Sequence, residues 1–422
     1  MIFKHLKNID HYTRNIILVF VGTLLANFTA LLYQLLIAHK LTPADFAAFN
    51  SLLAIFSVIS APLATVQVPV AKFCAEFSAR NQQASADSFL SDLTRKTAFL
   101  SIATLFIFWL ISVYLIRVLK IPSVASGYLL ALLLASTWLI PVFAGGVQGL
   151  ELFGWLTASV LISGILKLLM AFVFLILGYK IAGALGALLL SNIAAIAIYY
   201  YPLRSRISLA AVKERIGYKE AFSFLIPVAI AQFCFYFLVG IDLILVKYYF
   251  SPEDSGIYSL AQMVGKIFLF LPLAIGIVMF PKTSGLNSQN KETLHILNRS
   301  LLYAGGLCIL AALVYNLFPA FFLNILTGKA NPESILLGRM FSVSMSFFTL
   351  LYILYTYLLS IKDFRFLKYL FIFTLFQYLC IAIFHYNLFQ VQLILCLNGL
   401  VLFLVHLGLV LTLRKKGRLA NA

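Results

Sequence analysis

Asp242, Lys266 and Lys167 each stand inside a run of apolar side chains, where a carboxylate or an ammonium is chemically out of place. Asp242 interrupts FLVGIDLILVKYYF at 237–250, Lys266 follows SLAQMVG, and Lys167 follows VLISGIL. In hydrocarbon such a group costs at least about 2.5–3.5 kcal/mol, so it faces a protein interior or a wet cavity and marks an ion or substrate path. Asp242 suits a coupling cation or proton, and the two lysines suit anionic cargo. The competing structural reading is that Asp242 and Lys266, on the two arms of one hairpin, neutralise each other as a lock. Arg339 lies a few residues inside its span, where it either meets cargo or snorkels to the outer interface. Lys72 and Lys282 end their spans at the cytoplasmic mouth, where they either receive a phosphorylated headgroup or act as ordinary topology charges. Tyr236 and Tyr258, close to Asp242 in sequence, would contact sugars if they face a cleft.

The elements that must position these groups are membrane helices. Of 422 residues, 63% are hydrophobic and 11% charged, and the mean hydropathy is +1.01. A hydrocarbon core about 30 Å thick needs roughly 20 apolar residues per helical span, and about twelve runs qualify. They begin with 16–38 and end with 392–413; Lys167 falls in 155–177, Asp242 in 221–246, Lys266 in 257–280 and Arg339 in 335–360. The first run is too long for a cleaved signal peptide and carries no small-residue cleavage site, so it is expected to stay in the membrane. The expected fold class is an all-α polytopic membrane protein.

The net charge of +17 does not point to nucleic acid, because the basic residues are spread loop by loop. Most of the 31 lysines and arginines fall in alternate loops, which the positive-inside rule assigns to the cytoplasm together with both termini. The five cysteines have no paired spacing and read as small apolar fillers. No metal spacing of histidines, Walker A loop or G-x-S-x-G elbow occurs. Neither an enzyme nor an ATP-driven pump is expected.

The loop LRSRISLAAVKERIGYKE divides six spans from six, giving an N-terminal lobe at 1–201, a cytoplasmic linker at 202–220 with the charge pattern of a surface helix, and a C-terminal lobe at 221–422. A weak repeat supports this division: TPADFAAF at 42–49 returns as SPEDSGIY at 251–258, an offset of 209 that pairs Pro43 with Pro252 and Asp45 with Asp254. Its chemistry is that of a helix start, with proline and acidic residues in the first turn. Halves with an even number of spans enter the bilayer in the same sense, so a pseudo-two-fold would run along the membrane normal with a substrate site at the repeat interface. Pro62, Pro141, Pro227 and Pro272 are expected to kink their spans.

LLIAHKLTPADFAAFNSL at 35–52, GIDLILVKYYFSPEDSGIYSLAQMVGKI at 240–267, FPKTS at 280–284 and ILTGKANPES at 325–334 resemble the polysaccharide transporter family. That family includes Wzx-type O-antigen and exopolysaccharide flippases, within the multidrug/oligosaccharidyl-lipid/polysaccharide (MOP) superfamily. The resemblance implies a MATE-like V-shaped pair of six-helix lobes around a cationic cavity. It also implies movement of undecaprenyl-diphosphate-linked glycan from the inner to the outer leaflet of a bacterial cytoplasmic membrane, alongside membrane lipid and polysaccharide assembly machinery. Asp242 matches a span 7 acid that resembles a cation ligand, with sodium or proton coupling open and no other cofactor. Lys266 matches a cargo-facing basic position. The sequence departs from the family in span 11, where only Gln377 and Tyr378 are polar near the matching position. The rival is a cation-coupled multidrug exporter of the same fold; more intramembrane cations than acids favour anionic cargo.

Overall fold

The computed structural model describes residues 11–207, 219–270, 273–289 and 291–415. Among these residues every regular element is a helix. In chain order they are α1 (His11–Lys40), α2 (Pro43–Ala64), α3 (Gln67–Ala79), α4 (Gln83–Val118), α5 (Val124–Ser136), α6 (Ile140–Gly149), α7 (Phe153–Ile176), α8 (Lys180–Leu203), α9 (Lys219–Leu238), α10 (Ile241–Tyr249), α11 (Pro252–Phe270), α12 (Leu273–Ser288), α13 (Leu294–Leu317), α14 (Pro319–Thr327), α15 (Pro332–Ser360), α16 (Phe366–Ile383) and α17 (Leu388–Lys415).

Eleven stretches among the described residues are long and apolar enough to cross a membrane. The twelfth expected span, 257–280, falls on α11 and α12, which flank residues 271 and 272, outside the described set. Three of the eleven contain a break: α2 with α3, α5 with α6, and α9 with α10. Pro62 lies near the end of α2 and Pro141 in the first turn of α6, next to two of the breaks. Pro227 sits inside α9 without breaking it; that span opens at Gly240 instead. Pro272 is outside the described residues, as are residues 208–218 of the expected linker helix.

The chain divides into two compact units: Met1–Lys40 with Ile59–Ala229, and Leu41–Val58 with Ile230–Ala422. The sequence division keeps all of α2 with the first half, whereas by contact its first part belongs with the second unit. In that unit Gly256 of α11 lies so close to Pro43 that a Cβ would come within 2.8 Å of the proline carbonyl carbon. α15 is the central helix there, packed by α11, α12, α13 and α17.

In the first unit α7 packs on α1 through small residues: a Cβ at Gly22 would meet Thr157 at 2.4 Å, and one at Gly164 would meet Thr29 at 2.7 Å. α6 lies against α3 with Gly149 directly over the Ala71 carbonyl. Such stripes let helix backbones approach closely in a lipid environment, where dispersion packing holds spans together.

The repeat is a capping device, as its chemistry suggests. Thr42 Oγ1 accepts from the Asp45 N–H at 3.2 Å, and Ser251 Oγ accepts from the Asp254 N–H at 3.1 Å. The two copies then meet at equivalent positions, since Asn50 Nδ2 donates to Ser259 Oγ at 3.2 Å across a separation of 209 residues.

Candidate functional site

The break at Gly240 explains a carboxylate at this depth. It gives the span a second helix start, and Asp242 occupies the first turn of α10. Unpaired N–H groups and the macrodipole favour a negative charge there. The same break leaves carbonyls at the end of α9 without helical partners. Gln377 of α16 donates to one of them, Leu238 O, at 2.7 Å, and is held in turn by Asn398 Nδ2 on its Oε1 at 2.8 Å. The span 11 glutamine therefore serves the break rather than the carboxylate.

Asp242 is fully buried. Tyr258 donates its hydroxyl to Oδ2 at 2.9 Å, and Gln262 Nε2 donates to both carboxylate oxygens at 3.2 Å. Both partners come from α11, one turn apart. The Tyr258 hydroxyl also lies 3.1 Å from Gln392 Oε1 of α17, and Gln392 Nε2 donates to Ser344 Oγ of α15 at 2.8 Å. This polar cluster in the second unit ties α10, α11, α15 and α17 together, with the single Tyr258 proton shared between the Asp242 and Gln392 oxygens.

Lys266 is half-buried, and its ammonium donates to Asn50 Oδ1 at 2.7 Å. No ion pair joins it to Asp242. The proposed lock is thus replaced by two separate arrangements, an acid held by neutral donors and a base held by a neutral acceptor. Tyr258, expected to face cargo, is instead fully buried with its ring edge-on to Phe341 at 5.1 Å.

The other candidates are scattered. Lys167 is half-buried on α7 with its ammonium 5.2 Å from the centre of the Tyr33 ring, whose hydroxyl donates to Ala184 O at 2.8 Å. Arg339 and Lys282 are exposed. Lys72 has its side chain 68% exposed and pairs with Glu76 at 3.6 Å, one turn along α3. Sequence reasoning missed three members of the cluster. Gln262 was legible in the i, i+4, i+8 stripe of Tyr258, Gln262 and Lys266, whereas Gln392 and Ser344 had no local signal. Lys247 is also buried, in the last turn of α10, where a cation complements the helix dipole.

Among the described residues no group of three His, Cys, Asp or Glu side chains could hold a metal ion. The donors on Asp242 are an O–H and an N–H, which suit a carboxylate held by protein. Oxygen ligation of a sodium ion at this point would use Asp242, Tyr258 and Gln392, with the Gln262 amide turned to present its oxygen.

The sequence pattern of the family described as polysaccharide biosynthesis protein matches residues 12–287, more than half of the chain. The chain belongs to the polysaccharide biosynthesis protein family. Its fold is similar to that of the lipid II flippase MurJ in an inward closed conformation, at 15% identity and a TM-score of 0.70, over 93% of this chain and 87% of that one. It is also similar to an inward-facing multidrug resistance MATE family transporter of the MOP superfamily, at 16% identity and a TM-score of 0.68, over 92% and 96% of the two chains. A third likeness is to a MOP superfamily transporter from Pyrococcus furiosus, at 14% identity and 0.61, over 95% and 94%. At these identities the likeness shows the fold alone, a polytopic helical fold shared with those transporters. No curated relative matches the chain.

Proposed function

We propose that this polysaccharide biosynthesis family member is a flippase, moving undecaprenyl-diphosphate-linked oligosaccharide from the inner to the outer leaflet of a bacterial cytoplasmic membrane by alternating access. The observation that carries the proposal is the state of Lys266. It is a half-buried ammonium within the expected span 257–280, held by a neutral amide and, among the described residues, by no carboxylate within ion-pair distance. Its charge therefore remains available to an anion. A diphosphate cannot cross hydrocarbon bare, and an ammonium in a polar site replaces part of its lost hydration while the polyprenyl tail stays in lipid. Family membership and a fold shared with a lipid II flippase support the same cargo class.

In this proposal Lys266 is the principal cargo contact. Lys167 is a second cation in the other unit, and the exposed Lys72, Lys282 and Arg339 receive the headgroup at the membrane surfaces. Asp242 is the coupling group, for a proton or a sodium ion, and both termini are cytoplasmic. Membrane lipid and polysaccharide assembly enzymes are the partners.

The test is transfer of lipid-linked oligosaccharide in proteoliposomes, together with glycan export in cells. Lys266→Ala is expected to reduce transfer at least about tenfold at normal protein abundance, which is the worth of one charge-assisted contact, and Lys266→Arg to retain much of it. Undiminished transfer by Lys266→Ala would remove the proposed role. A cation-coupled multidrug exporter would instead lose organic-cation efflux on Asp242→Asn and show no glycan transfer in any variant.

A further inference from the structure

Asn50 of α2 faces Lys266 with a defined chemistry. An ammonium has donors only, so the amide must turn its oxygen to it, and the observed bond is Nζ to Oδ1 at 2.7 Å. The amide nitrogen is then directed to its own helix and to α11, donating to Phe46 O at 3.1 Å and to Ser259 Oγ at 3.2 Å. Asn50 itself is 2% exposed, whereas Lys266 remains half-buried.

The reach is explained by helix geometry. Ser259 and Lys266 are seven residues apart on α11 and share a face, separated by about 10 Å along the axis. Side chains tilt toward the helix N-terminus, so the long lysine stem runs back to meet an amide also bonded near the preceding turns.

We infer that Asn50 is a stand-in ligand for Lys266, its amide oxygen holding the ammonium in place of an anionic diphosphate oxygen until cargo displaces it. The inference rests on the reading of Lys266 as the cargo contact. The displaced bond is a single one: when the ammonium leaves, the amide nitrogen keeps Phe46 and Ser259, so α2 stays attached to α11. Selectivity follows from charge. The ammonium is an ionised donor to the amide already, and a diphosphate oxygen adds the Coulomb attraction of an opposite charge, so it outcompetes the amide while neutral sugars and water do not. The stand-in also keeps the cation from being left without an acceptor between transport cycles. A carboxylate at position 50 would do the opposite, retaining the lysine against the cargo.

The experiment uses the full chain in dodecyl maltoside micelles with undecaprenyl diphosphate as the probe and undecaprenol as its uncharged control. Asn50→Ala is expected to tighten binding of undecaprenyl diphosphate by about tenfold, equivalent to about 1.4 kcal/mol, and Asn50→Asp to weaken it by at least as much. Neither substitution changes binding of undecaprenol, and on a Lys266→Ala background Asn50→Ala has no effect. Asn50→Ser provides a second small variant: it is too short to reach the ammonium, but its hydroxyl keeps the Phe46 carbonyl bonded. Melting in micelles establishes that each variant is folded. Should both small variants bind undecaprenyl diphosphate as wild type does while Lys266→Ala binds weakly, the stand-in role is overturned and the cargo role of Lys266 survives. Should Lys266→Ala bind as tightly as wild type, both fall.

Discussion

Replacing Tyr258 with phenylalanine separates a cargo contact from a structural member of the Asp242 cluster. The substitution keeps the ring, which packs edge-on to Phe341, and removes one oxygen atom. With that oxygen go the 2.9 Å bond to Asp242 Oδ2 and the 3.1 Å contact to Gln392 Oε1. Gln262 still serves both carboxylate oxygens, and Gln392 keeps Ser344, so neither group is left wholly unpaired. A hydrogen bond to a charged group is worth about 1.5–3 kcal/mol, whereas neutral side-chain bonds between membrane helices average about 0.6 kcal/mol. Because Asp242 is the acceptor, the expected loss is about 2 kcal/mol, nearer the charged value. On an Asp242→Asn background, where the acceptor is neutral, the same substitution should cost about 1 kcal/mol or less, leaving a coupling of about 1 kcal/mol in the cycle. Reversible SDS unfolding in mixed micelles measures both. If Tyr258→Phe is as stable as wild type while the apparent KM for lipid-linked glycan rises, the tyrosine contacts cargo and the burial argument is wrong.

Two further outcomes test the packing and the loops. Gly149→Ala should destabilise the first unit by about 1–3 kcal/mol, the usual cost of overpacking, because the new Cβ would lie 2.4 Å from the backbone oxygen of Ala71 and 2.6 Å from Cys74 Cβ, neither of which is a flexible tip. Gly154→Ala, with nothing within 4 Å, is the control, and equal melting of the two would refute the close approach. Lys329 lies in the loop after α14, with its ammonium bonded to Leu41 O, and burial pushes its proton affinity below the ordinary value of 10.5. The unfolded chain then binds the proton more strongly than the folded one, so the contribution of Lys329 to stability rises as pH climbs from its lowered native value toward 10.5. Melting curves of wild type and Lys329→Met across that alkaline interval should diverge in slope, and parallel curves would exclude the effect.

What the sequence could and could not reveal follows from the range of each interaction. Asp242 and Lys266 were legible because a charge in an apolar run is conspicuous without any knowledge of its neighbours. The helix starts at Pro43 with Asp45 and at Pro252 with Asp254 were legible because such a start is completed within a few residues. The partners were not: Lys266 reaches Asn50 across 216 residues, and Tyr258 reaches Gln392 across 134. Helical periodicity assigns a side chain to a face and leaves the identity of the facing helix undetermined. That is why adjacency in a hairpin suggested an Asp242–Lys266 lock. The actual arrangement was decided by the break at Gly240, which prolines elsewhere had obscured. A helix start at membrane depth stabilises the carboxylate with N–H dipoles, and Gln262 and Tyr258 complete its bonds. Asp242 therefore does not require the lysine as its counter-ion, and the neutral amide of Asn50 can hold that cation without consuming its charge. In the proposed flippase, separating acid from base in this way leaves the Lys266 ammonium to be recruited by an anionic headgroup, a property a closed ion pair would have cancelled.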